Sequence, residues 1–78
     1  MKLGLYKHYK GNIYRVIGLA KHTETEEKLV LYYALAGSPD LVEEFGERPF
    51  FVRPYNMFNG EVQTENGGIV PRFRFVEE

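Results

Sequence analysis

The stretch Lys28–Ala36, KLVLYYALA, is apolar on both alternations of an extended chain. A strand of that kind must be covered on both faces, which in a small protein requires a tightly curled sheet. Upstream, Ile13–His22 is rich in Tyr, Val and Ile and carries a central Gly18. Those residues favour a strand over a helix, and a glycine within a strand marks a bend, bulge or close backbone approach. Between the two arms lies the polar turn Thr23–Glu27. Two long arms around a polar turn predict an antiparallel hairpin.

The rest of the chain is cut into short pieces. Leu3–His8 predicts a first strand, closed by the turn Tyr9-Lys10-Gly11-Asn12. In GSPDLVEEFGERP, Ser38 is placed as N-cap, Pro39 at the first helical position, Asp40 in the first turn and Gly46 as terminator. This predicts a short helix in the 38–46 connection, with Leu41 and Phe45 sharing its buried side. Phe50–Arg53 reads as a fourth strand stopped by Pro54, and residues 55–59 as a helical turn pinned by Met57 and Phe58. Gly67-Gly68 reads as a turn. Arg72–Val76 closes the chain as a strand with Phe73 and Phe75 on one face and Arg72 and Arg74 on the other.

The expected fold is therefore mainly β, a single small SH3-like or Sm-like barrel of about five antiparallel strands over residues 1–78. At this size only roughly 60–65% of the unfolded chain's surface is buried on folding. With no cysteine, the core must come from six Tyr and six Phe residues.

Ten basic against eleven acidic side chains argue against a duplex-coating protein. No apolar run approaches the ~20 residues of a membrane span, and the N-terminus lacks the order of a signal peptide. The expected compartment is the cytoplasm, with no membrane partner.

Several residues invite a chemical reading. His22 and Glu24, two apart, face the same way on a strand and form a conceivable proton-transfer pair. Turn chemistry is the commoner role for such residues, and is preferred because no nucleophile accompanies them. His8 and His22 lie near opposite ends of the long hairpin arm. They would share a metal only if the sheet curled strongly at Gly18, so neither a zinc site nor a cofactor is expected. Arg53 and Arg72 each stand beside a proline, placing a planar fork at a rigid strand end. They would either clamp a carboxylate or phosphate or pair internally with Glu24 or Glu26, and the internal pairing is preferred. Tyr6, His8, Tyr14 and Tyr32, near Lys7, Lys10 and Arg15, form an aromatic and basic set. Such a set suits single-stranded RNA, a peptide groove, or tyrosines that merely rim the core.

The ordered elements GLYKHYKGNIYRVIGLAKHTET, FVRPYNMF and PRF resemble the prokaryotic family catalogued as domain of unknown function 1653. Two departures stand out: Phe51 where that family commonly has Trp before Val-Arg-Pro, and a longer Ser38–Arg48 segment. The resemblance implies a small, mostly β domain and no activity. The function expected from the residues is a non-enzymatic binding or adaptor module. Its ligand is expected to be a protein segment or small acidic molecule, with Tyr6, His8, Tyr14, His22, Glu24, Arg53 and Arg72 as candidate contacts. Weak single-stranded RNA binding on an Sm-like barrel is the alternative, and a hydrolase using His22 and Glu24 the third reading.

Overall fold

The hairpin that dominates the sequence also organises the structure, a computed structural model describing residues 1–78. β1 (Gly4–His8), β2 (Ile13–Lys21), β3 (Lys28–Ala34) and β4 (Phe50–Pro54) run as an antiparallel meander. A helix α1 (Pro39–Phe45) occupies the β3–β4 connection, and the turn α2 (Tyr55–Phe58) follows β4. Then come β5 (Glu61–Gln63), β6 (Ile69–Pro71) and β7 (Phe73–Glu77). β7 returns to pair with β1, giving the order β4-β3-β2-β1-β7, while β5 and β6 form a separate two-stranded ribbon. A five-stranded meander whose last strand closes on the first, after a helical turn, is the SH3-like arrangement. The expected mainly β barrel is what the chain forms.

Curling is produced at two irregularities. Val16 pairs with Tyr32 and Gly18 with Leu31, so Ile17 is an extra residue in β2. A bulge of this kind bends the strand and increases its twist, bringing the two ends of the sheet toward each other. A second shift between Leu5 and Tyr6 does the same to the β1–β7 pair. Gly4, at φ +130°, sits where an added Cβ would lie 2.5 Å from the Glu77 carbonyl oxygen, so no other residue fits there without displacing β7. As its alternation requires, β3 is buried on both faces through Leu29, Val30, Tyr32 and Tyr33.

The core consists of Tyr6, Val16, Val30, Tyr32, Phe58 and Phe73, with Tyr14, Phe51, Tyr55 and Phe75 packed against it. Phe58, 1% exposed, lies parallel to Phe73 with ring centroids 4.0 Å apart. Tyr6 and Tyr32 meet Phe58 edge-on at 5.4 and 5.3 Å. Such contacts add to the area that each ring buries.

Four expectations need correction. The β5–β6 ribbon flanks the Gly67-Gly68 turn where only the turn was anticipated; its three-residue strands are too short to show a period. Phe45 is 62% exposed and α1 buries no residue. Met57 is likewise exposed, so α2 is pinned by Phe58 with Tyr55 packed beside the core. Ser38 takes the N-cap position, but its hydroxyl makes no capping hydrogen bond.

Because Phe58 is the one fully buried aromatic in the core, Phe58→Ala is expected to cost about 3–5 kcal/mol. Urea denaturation should show most of the domain's stability lost. An unchanged midpoint would place the core elsewhere.

Candidate anion-binding cleft

Alternation on β4 puts Phe51 and Arg53 on the inner face, opposite Tyr32 and Val30 of β3. On the other side of the curled sheet, β7 presents Phe73. The guanidinium of Arg53 reaches across, lying over the Phe73 ring at 5.5 Å from its centroid, and its Nε donates to the Tyr32 hydroxyl at 3.2 Å. The edges of the open barrel thus meet through a cation and a ring, a contact favoured by the ring's negative face. Around the same ring stand His8 at 4.9 Å and Tyr14 at 5.7 Å, both edge-on. Tyr14 continues to Phe51 at 6.4 Å. His8, Tyr14, Phe51, Arg53 and Arg72 are all half-buried.

The electrostatics are one-sided. Burial pushes the pKa of His8 below its ordinary value of about 6.5, and the nearby charges of Arg53, Arg72 and Lys10 push it the same way. The Lys10 amide donates to His8 Nδ1 at 3.1 Å, which assigns the proton of the neutral ring to Nε2. No carboxylate balances these cations. The chain's single ion pair joins Lys21 to Glu26 at 3.6 Å, and Arg72 Nε is buried without a hydrogen-bond partner. The preferred expectation of Arg53 and Arg72 pairing with Glu24 or Glu26 is therefore wrong. Those glutamates sit at the tip of the β2–β3 hairpin, where only Glu26 is in an ion pair, with Lys21.

Of the residues singled out in the sequence, His8, Tyr14, Arg53 and Arg72 come together. Tyr6 lies beneath them as core, its phenol donating to the Lys2 carbonyl at 2.6 Å, and burial raises its pKa. His22 and Glu24 stand apart on the hairpin tip. There His22 Nδ1 accepts hydrogen bonds from the amides of Glu24 and Thr25 at 3.2 and 3.3 Å, and the His22 backbone closes the turn with Glu27 and Glu26. No hydrogen bond or ion pair links the His22 ring to the Glu24 carboxylate. Across the chain, no three His, Asp or Glu side chains converge as metal ligands. Sequence reading passed over Phe51 and Phe73 as cleft walls. The spacing of Phe51 and Arg53, two apart on one strand, was the signal that could have found Phe51.

Beside the cleft is a half-enclosed cavity of about 170 Å³, walled by Tyr14 and Phe51 and by Leu41 of α1, with Asn12, Ala36 and Ser38 at its rim. Helix α1 therefore supplies one wall.

Two outcomes follow from this geometry. His8 should titrate below 6.5 by NMR, and Arg72→Gln should raise its midpoint by removing a neighbouring positive charge. Since the folded pKa is the lower one, the unfolded chain binds more protons between that value and about 6.5. The contribution of His8 to stability should be complete above 6.5 and fall away as pH drops through that window. His22→Ala, by contrast, should lose about 0.5–1.5 kcal/mol for its turn hydrogen bonds and leave the His8 titration unmoved.

No helix is long and apolar enough to cross a membrane. No curated protein matches the chain. A crystal structure of a DUF1653 protein from Bordetella bronchiseptica is similar at a TM-score of 0.81 and 36% identity, over 97% of this chain and 87% of that one. The model of the family described as "Protein of unknown function (DUF1653)" matches residues 4–75, from the glycine locked against β7 to the last aromatic of the core. The chain belongs to that family.

Proposed function

We propose that the protein is a non-enzymatic binding module that holds a carboxylate, presented by a protein segment or a small acidic ligand, between Arg53 and Arg72. The observation that carries this reading is a pair of arginines, both near enough to His8 to act on its charge, with no acidic partner, one of them with a buried, unbonded Nε. Arg72 Nε is enclosed by the protein, but the terminal guanidinium nitrogens of both arginines make no hydrogen bond within the chain, and a ligand oxygen would give them one. Arginine forks match the two oxygens of a carboxylate, and the half-dry surroundings strengthen the interaction.

The groups facing His8 are three cations and several rings, an arrangement that attracts an anion and offers no nucleophile. Neutral His8 adds an Nε2–H donor without adding charge. The rings of Tyr14, Tyr32 and Phe73 engage one another edge to face. That leaves few open faces for stacking bases, and favours an acidic ligand over single-stranded RNA.

Titration with succinate above pH 6.5, followed by NMR, tests the reading. Succinate should shift resonances of His8, Arg53 and Arg72 and raise the His8 midpoint. Arg72→Gln should weaken binding roughly tenfold or more, the worth of a charge-assisted hydrogen bond. An oligouridine probe should shift the same residues weakly at most. Shifts scattered over the surface, or binding indifferent to Arg72→Gln, would refute the assignment.

A further inference from the structure

Building on that carboxylate reading, we infer that the occupant is the C-terminus of a polypeptide whose last residue is aliphatic, its carboxylate on Arg53 and Arg72 and its side chain in the cavity behind Tyr14 and Phe51. Tyr14 meets His8 edge-on and lines the cavity, and Phe51 beside it lines the same cavity from the strand face that carries Arg53. Phe51 and Arg53 are two residues apart on one strand face, about 7 Å. One amino-acid residue bridges that separation, with its carboxylate at one end and its side chain at the other.

The cavity has the size and lining for this. Apolar cavities of about 150 Å³ accept a benzene ring, so about 170 Å³ has room for a leucine side chain. Tyr14, Phe51, Leu41 and Ala36 offer it apolar contact. At the rim, neither the Asn12 amide nor the Ser38 hydroxyl has an intramolecular partner. Ser38 stands at the N-cap of α1 yet leaves the helix uncapped, so its hydroxyl is free to meet the last peptide group of a ligand. A pocket with a few convergent polar groups and a charged anchor is the usual build of a specific site. An internal acidic side chain would satisfy the arginines but carry no apolar group into the cavity from the same residue.

The test uses N-acetyl-Gly-Gly-Leu as free acid, the same peptide as its C-terminal amide, and N-acetyl-Gly-Gly-Gly as free acid, each titrated into the full chain by NMR. The leucine acid should bind best. The amide should lose tenfold or more, because the charged anchor is gone. The all-glycine acid should lose on the order of tenfold to a hundredfold, the expected effect of withdrawing one leucine side chain from an apolar pocket. Ala36→Leu, at an exposed position outside the strands, fills the rim and should weaken the leucine acid towards the glycine acid while leaving the latter unchanged. N-acetyl-leucine alone separates a free acylated amino acid from a chain end: it should bind more weakly than the tripeptide, and tighter binding would overturn the choice of a polypeptide. Equal affinity for the leucine and glycine acids would overturn the inference yet leave the carboxylate site standing. Failure of every acid to bind would overturn both.

Discussion

Phe73 stacks on Phe58 and takes the edges of His8, Tyr14 and Tyr32, so a single ring is shared by the core and the cleft. In a domain with six residues in its buried cluster, four of them aromatic, packing is done by a few large side chains held at defined angles. The Ile17 bulge beside Gly18 makes this possible, because only a sharply curled sheet brings the inner face of β4 opposite β7. The barrel's open seam is then bridged by Arg53 lying over Phe73. Fold and candidate site are consequently one structure seen from two sides.

The two arginines occupy parallel settings. Val52-Arg53-Pro54 ends β4, and Pro71-Arg72-Phe73 joins β6 to β7. Each proline restricts the backbone beside its arginine, and the Arg53 fork is further held by the Tyr32 hydroxyl and the Phe73 ring. That suits a site needing two donors at a set spacing. The neighbouring histidine is pushed below its ordinary pKa by burial first and then by the same positive charges of Arg53, Arg72 and Lys10. The arrangement departs from what stability alone would select, since an acid placed among these cations would relieve the repulsion.

Much of this was legible in the sequence. The both-sided apolar character of β3, the strand composition of β2 with its interior glycine, and the proline and glycine boundaries of α1 are local signals, and each marks an element that forms. Tertiary placement was not legible. Whether Arg53 meets Glu24 depends on where the β2–β3 tip ends up relative to β4, and nothing within either segment encodes that distance. Phe45 failed for the same reason: four-residue spacing gives a helix a side but does not supply a partner for it. The Ser38 cap failed because residue type and position do not ensure the rotamer. For the cleft, four of seven candidates were brought together; His22 and Glu24 were drawn in by chemistry that the turn itself consumes.

The central claim is that Arg72 serves a ligand and not the fold. Arg72→Met keeps the aliphatic stem and removes the charge and the buried, unbonded Nε. Unfolding of this variant and the parent, compared in urea at neutral pH without added anion, tests the claim directly. The account predicts a variant as stable as the parent or more stable by up to about 1–2 kcal/mol, as when buried charges give way to apolar groups of similar shape. A loss of more than about 1 kcal/mol would mean that Arg72 holds the structure together, and would contradict it.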